Sequence, residues 1–422
     1  MKIAIIGTGI AGLTAAYLLN RKHDITVFEA GSTIGGHTAT VDITMPDGEQ
    51  QAIDTGFIVY NEWTYPNFIK LLSQLGITGQ PTEMSFSVRD ARSSLEYGGN
   101  NLNTLFTQRL NLLRPSFLRM VKDILRFNKE SIADLDAGIL APGMTLGQYL
   151  RDRRYSHEFI THYLVPMGAA IWSASTRTML AFPLLFFVRF FRNHGLLSVT
   201  HRPQWFVIPG GSRTYLAPLT RNFSERIRTD SAVTAVRRDK TGATVSSRHG
   251  DERFDAVIIA AHSDQALAML QDSSPQEQEI LSAIPYQSNE VVLHTDTRLL
   301  PTHRRAWSSW NYHLATDGQS GSCEQSHAVL TYDMNILQGL QSQHTYCVTL
   351  NHTQAIDPAK ILHSFHYAHP VFTLPGIAAQ ERWHEINGIN HTWFCGAYWR
   401  NGFHEDGVDS ALRIAEAFGE SL

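Results

Sequence analysis

Short apolar runs, each closed by glycine or a charged residue, recur along the chain. Lys2-Ile3-Ala4-Ile5-Ile6 is β-branched and predicts a buried parallel strand; the glycine-rich Gly7 to Gly12 comes at once after it, and Leu13 to Leu19 then reads as a helix. Asp24 to Phe28 predicts a second strand. Runs of the same kind return at 254–262 and 392–398, while 228–238 and 243–248 alternate in the manner of a hairpin. Near the far end Val408, Ala411, Leu412, Ile414, Ala415 and Phe418 recur at helical spacing, with Asp406 as the expected N-cap. Strand, helix and strand in immediate succession predict an α/β fold.

Composition narrows the class. The 422 residues suffice for two or three domains, and 43% apolar with 18% charged residues is a globular balance. A net charge of −4 excludes a strongly basic nucleic-acid binder. Cys323, Cys347 and Cys395 form no closely spaced pair, so neither a disulfide framework nor a zinc site is expected and a reducing, cytoplasmic setting is the default. The N-terminal run, broken by glycines, reads as strand and turn rather than signal peptide, and the most apolar later stretch is interrupted by Pro183, Arg189 and Arg192, so no spanning helix is expected.

The opening segment carries a specific chemistry. Gly7, Gly9 and Gly12 bracket Ile10 and Ala11 in a G-x-G-x-x-G pattern between strand and helix, and Glu29 ends the second strand 17 residues after Gly12. A tight turn at Gly7, close backbone approach at Gly9 and close packing at Gly12 suit a pyrophosphate held at a helix N-terminus, and the Glu29 carboxylate suits ribose hydroxyls. That acid disfavours a ribose 2′-phosphate, leaving FAD or NAD.

The segment beyond Glu29 decides between them. Ala30 to Thr40 contains Gly35-Gly36-His37, and Asp54-Thr55-Gly56-Phe57 comes on the next strand. These segments resemble the flavin-containing amine oxidase and phytoene desaturase superfamily, whose second glycine motif wraps the FAD pyrophosphate; the family's usual arginine is His37 here. Thr392 to Tyr398 followed by Glu405-Asp406-Gly407-Val408 resembles the family's C-terminal strand and helix, with Gly396, Asp406, Gly407 and Val408 beside the flavin and Ala397 where the family has an acid. The resemblance implies FAD as cofactor, Val233 facing adenine through its main chain, and a Rossmann-type (glutathione reductase-like) FAD-binding domain drawn from residues 1–70, 200–265 and 385–422. A discontinuous α+β substrate domain would take 71–199 and 266–384. Asp54 to Asn61, Arg202 to Trp205, Pro209 to Ser212, Ala306 to Tyr312 and His369 to Phe372 are similar to a bacterial subgroup of FAD-dependent oxidoreductases associated with cyclopropane-fatty-acid synthases, which implies an acyl substrate.

Three further features bear on chemistry. Amine oxidases generally hold a lysine-bound water near the flavin, but the comparable stretch, Tyr286 to His294, has no lysine; Tyr398 and Trp399 are the aromatic residues available to face the ring. Leu102 to Lys129 is basic and amphipathic, and Leu180 to Arg192 is apolar on nearly every face. The pair reads either as a footprint on the inner face of a membrane or as a solvated helix and a core or tunnel wall. Among the 20 histidines, His363, His366 and His369 recur every three residues without a carboxylate, which suits hydrogen bonding better than metal ligation, and no metal is expected. His404 is the candidate acid or base. The expectation is an FAD-dependent dehydrogenase or desaturase of a fatty acyl or phospholipid acyl chain. A flavin amine oxidase and a non-catalytic, membrane-associated flavin protein are the alternatives.

Overall fold

A computed structural model describes residues 1–314 and 327–422, so Cys323 lies outside the described residues. Five parallel strands form the sheet that organises the N-terminal motif, in the order Ile227–Arg228, Asp24–Phe28, Lys2–Ile6, Ala256–Ile259 and Thr392–Phe394. Every position from Ile3 to Ile6 and from Ala256 to Ile259 is buried, as expected of parallel strands covered on both faces. One face packs against the helices Ile10–Leu19 and His404–Ala417, and the other against an antiparallel meander, Val233–Asp239, Gly242–Ser247 and Gly250–Phe254.

The expected runs fold with different ends. Phe254 closes the meander, so the buried strand begins at Ala256. The C-terminal strand stops at Phe394, because Gly396 turns the chain into the single helical turn Ala397–Trp399. Asp406 is not the N-cap. The helix starts at His404, and Asp406 sits in its first turn, accepting the Phe403 N–H at 2.9 Å and the Asn401 amide at 3.2 Å.

A second sheet of seven strands runs Ile361–Pro370, Tyr286–His294, Cys347–Leu350, Val329–Asp333, Trp310–Leu314, Phe86–Asp90 and Leu95–Gly98. Against it lies a helical layer with an aromatic core. The helix Leu184–Asn193 buries Leu184, Phe187, Val188, Phe190 and Phe191, with Phe187 against Phe127 and Phe190 against Trp172. The 180–192 segment is therefore core and not a lipid-facing surface, and Arg192 is tied to Asp136 at 2.5 Å. No helix among the described residues is long and apolar enough to cross a membrane.

Candidate flavin site

Four glycines bring three backbones together at the end of the first strand. Gly7 turns the chain at φ +103°, a conformation that strains any residue with a Cβ. A Cβ on Gly12 would lie 2.0 Å from the Gly7 carbonyl, one on Gly36 3.2 Å from the Gly9 Cα, and one on Gly407 2.7 Å from the Ile10 side chain. Only at Gly9 of these positions would a Cβ meet nothing within 4 Å. The N-terminal ends of Ile10–Leu19 and His404–Ala417 thus converge beside an open stretch of backbone, where helix dipoles and unpaired N–H groups favour an anion.

Glu29 lies at one side of this cradle. Its Oε2 accepts the Thr8 N–H at 3.1 Å and the Thr8 hydroxyl, and its Oε1 accepts the Gly31 N–H at 2.8 Å. A carboxylate has about four lone-pair sites, so capacity for ribose hydroxyls remains. Ala30 is exposed at the same turn. Val233 lies half-buried at the start of the meander, beside a bulge, while the neighbouring Ser231 N–H bonds the Glu29 carbonyl at 2.7 Å.

On the other side Gly35-Gly36-His37 is held to the fold through its backbone. Gly35 donates to the Thr8 carbonyl at 3.1 Å, and the His37 carbonyl accepts the Phe57 N–H at 2.7 Å across Gly56, where a Cβ would come within 2.3 Å. The His37 imidazole points into a cluster of rings: Tyr367 at 5.0 Å, His369 at 5.6 Å and His262 at 6.3 Å between centroids. Its Nε2 is buried and has no hydrogen-bond partner among the described residues. Burial, then repulsion from His369 and His262, lowers its pKa to about 3.

This cluster carries groups that sequence pattern alone does not single out as a site. Tyr286 stacks on His262 at 4.3 Å, and Tyr367 shares a 2.9 Å hydrogen bond with Thr55. His369 Nδ1 lies 3.1 Å from the Ser173 hydroxyl and 3.4 Å from the Asn289 amide; its pKa falls to about 4, mainly by burial and further by His262. His363, Phe365, Tyr367 and His369 share one face of their strand, as the ring contacts His363–Phe365 and Phe365–Tyr367 show. His366 therefore points to the other face, away from His363 and His369.

The profile of the family described as flavin containing amine oxidoreductase matches residues 10–417, nearly the whole chain. The chain belongs to this family. A protein of Mycobacterium tuberculosis named as a flavin-containing monoamine oxidase is 25% identical over 275 residues, which cover 61% of this chain and 56% of that protein. Putrescine oxidase superposes with a TM-score of 0.70 at 15% identity, covering 99% of both chains. A CLA-producing fatty acid isomerase from P. acnes gives 0.70 at 14% identity over 99% and 98% of the two chains. Cyclohexylamine oxidase from Brevibacterium oxydans gives 0.67 at 17% over 99% of both. These likenesses show a common fold.

Membership places the chain among flavin-containing oxidoreductases, and the cradle fits FAD. The open face of Gly9, the paired helix ends, Glu29 and the unpartnered His37 nitrogen are where an adenine dinucleotide would find contacts. When bound, FAD supplies a two-electron acceptor that can take hydride from a substrate C–H bond. Gly396 donates its N–H to Ser410 at 3.0 Å, and Val408 is fully buried beneath the helix end.

Two further expectations concern side chains near the C-terminal strand and helix. His404, the expected acid or base, is buried, stacked on Phe57 at 3.5 Å, and its Nε2 lies 3.1 Å from both Thr38 Oγ1 and the Tyr215 hydroxyl, contacts that a positioning role would equally use. Burial first, and then His37, holds its pKa well below the usual histidine value. Tyr398 and Trp399 are buried beside Phe394, their ring centroids 5.0 Å apart and their planes at 40°.

Other functional neighbours escape a reading of the sequence because they join distant segments. Asp54 accepts from Thr40 Oγ1 at 2.6 Å and from the Ser212 N–H and hydroxyl at 2.9 Å each, which fixes the Gly210-Gly211 turn against the motif strands. Burial raises its pKa to about 6. Glu405 caps the helix Pro66–Gln74 by accepting the Phe68 N–H at 2.8 Å and the Asn67 N–H at 3.1 Å.

Proposed function

We propose that this flavoprotein oxidises an apolar substrate, a fatty acyl or phospholipid acyl chain, as a dehydrogenase or desaturase. The observation that carries the reading is the chemistry of the groups beside His37: imidazoles, phenols, a hydroxyl and the amide of Asn289, with no lysine or carboxylate hydrogen-bonded to them among the described residues, Asp54 and Asp264 acting only through space on Tyr367 and His262. An ammonium brought there with no carboxylate to pair it would cost several kcal/mol, whereas each buried methylene of an acyl chain gains about 0.8 kcal/mol.

Ser173 extends the same argument. It ends the helix Val165–Trp172, bonds His369, and accepts the Gln287 amide on its carbonyl at 3.0 Å. The next residue back, Trp172, belongs to the aromatic core with Phe182 and Phe186, and Phe186 stacks on Phe372 at 5.1 Å. The apolar core therefore begins one residue from the polar cluster.

With FAD bound as the two-electron acceptor, a desaturation would also leave a proton to be taken from the neighbouring carbon. His369 is the group we assign to receive that proton. Its Nδ1 is anchored, its imidazole is neutral, and its Nε2 has no hydrogen bond among the described residues. The fatty acid isomerase of the same fold is named for an acyl substrate, which agrees with this reading. The family name and the named amine oxidases favour an amine instead.

Anaerobic mixing of the loaded protein with an acyl-lipid panel and an amine panel separates the readings. Bleaching of the flavin by unsaturated or branched acyl chains, faster as the chain lengthens, is expected. Bleaching by a diamine or arylalkylamine alone would establish the amine reading, and bleaching by neither would favour a flavin protein without turnover.

A further inference from the structure

Among the described residues eleven large apolar side chains are exposed, and six of them fall between Leu102 and Leu125. Leu102, Leu110 and Leu113 are 74%, 70% and 80% exposed, and Leu112, Leu118 and Leu125 stand beside them in sequence. They occupy the short helix Leu102–Leu105, the turn Arg109–Leu113 and the outer face of Pro115–Asp136. On that long helix Leu118, Lys122, Leu125 and Lys129 recur at spacings of four, three and four, which puts leucines and lysines on one solvent-facing stripe. The inner stripe, with Phe117, Met120 and Phe127, packs into the aromatic core. Exposed leucine is not needed for folding here.

Charge says what covers this face. No acidic residue occurs between Glu96 and Asp123, while Arg109, Arg114, Arg119 and Lys122 do. Arg119 is paired with Glu158 at 2.6 Å, and Arg126 lies part-buried between Asp123, Glu130 and Tyr155, so neither offers a free charge outward. That removes Arg119 and Arg126 from the basic footprint read from the sequence. Arg109 bonds only neutral groups, Asn103 and the Phe106 carbonyl, and Arg109, Arg114 and Lys122 have no carboxylate within ion-pair distance among the described residues. A protein partner would be expected to answer such cations with discrete carboxylates, but it would not call for leucines on two successive short elements and the face of the long helix after them. An anionic bilayer answers both: headgroups neutralise the cations and the acyl boundary takes the leucines.

We propose that residues 102–125 dock this protein on the surface of an anionic lipid bilayer, with Leu102, Leu110, Leu112 and Leu113 inserted and Arg109, Arg114 and Lys122 among the headgroups. The surface stands whatever the flavin oxidises. It lies on the outer side of the helix whose inner side holds the aromatic core, so docking leaves the flavin cradle untouched.

Co-sedimentation of the FAD-loaded protein with phosphatidylcholine vesicles, with and without phosphatidylglycerol, tests it. The wild type should bind the anionic vesicles and release partly as salt rises. Leu110→Ser/Leu113→Ser should weaken partitioning about tenfold or more at every salt concentration, since losing two inserted leucines exceeds the 1.4 kcal/mol that a factor of ten represents. Arg109→Gln/Arg114→Gln should weaken it at low salt only. Flavin content and circular dichroism of both variants should match wild type, which separates a docking defect from misfolding. Wild-type partitioning by both variants would overturn the proposal. So would an absence of vesicle binding together with self-association in sedimentation velocity that the leucine variant loses, an outcome that assigns the face to a second copy.

Discussion

Gly407 and Ile10 stand so close that a single methyl group on the glycine would come within 2.7 Å of the isoleucine Cγ2. The first turns of the two helices flanking the cradle are therefore locked in register, one from each end of the chain. Gly407→Ala should push them apart, lower stability by about 1–3 kcal/mol and reduce the flavin-to-protein absorbance ratio of the purified protein. Wild-type flavin content and melting temperature would mean that the contact can be relaxed without moving the cradle.

Gly9 and Gly12 should behave oppositely although they share one motif. A Cβ at Gly9 meets no protein atom, so Gly9→Val should fold and unfold near the wild-type apoprotein while losing FAD. At Gly12 a Cβ would collide with the Gly7 carbonyl, so Gly12→Val should fail to accumulate as folded protein. Retention of yellow colour by Gly9→Val would place the dinucleotide elsewhere.

His404 tests the distinction between a buried hydrogen-bonding ring and a titrating base. His404→Gln should cost about 1–3 kcal/mol, because it disturbs the contacts to Thr38 and Tyr215 and the stack on Phe57. The pH profile of flavin reduction should keep its shape. Disappearance of one limb of that profile, with stability unchanged, would restore the catalytic role that sequence position suggested.

His369 gives a pH dependence with a definite sign. Its folded pKa of about 4 lies below the ordinary histidine value, so on acidification the unfolded chain takes up a proton that the folded chain refuses. The stability it contributes is full above the unfolded value and is lost as pH falls toward about 4. Between about pH 7 and about pH 5 the loss amounts to roughly 2 kcal/mol. Urea midpoints of His369→Gln should fall correspondingly less over that interval. An acid slope identical to wild type would show that the ring is already solvated.

Much of the cradle could be read from order along the chain. Strand, glycines, helix and Glu29 are local neighbours, and their spacing is set by one βαβ unit, so the pattern carries its geometry with it. The C-terminal helix is legible for the same reason, yet its start is displaced because an aspartate in the first turn and one at the N-cap leave similar traces in sequence. The His37 cluster, Asp54 with Ser212, and Ser173 with His369 were not visible, since each joins segments more than a hundred residues apart through contacts that no periodicity encodes. The phenylalanines of 182–191 show the converse difficulty. An apolar helix has the same composition whether it meets lipid or, as here, Trp172 and Phe127.

The strand order of the parallel sheet has a consequence for biosynthesis. Ala256–Ile259 pairs on one side with Lys2–Ile6 and on the other with Thr392–Phe394, so that edge waits for more than a hundred and thirty further residues before its last partner is made. The helix that completes the phosphate cradle comes later still, at His404. A ribosome-bound chain therefore carries its G-x-G-x-x-G turn for most of translation without the second helix end and with an unpaired sheet edge, a surface on which other chains can template. Capture of the dinucleotide must be a late event, and a chaperone holding the Ala256–Ile259 edge would act in the interval between.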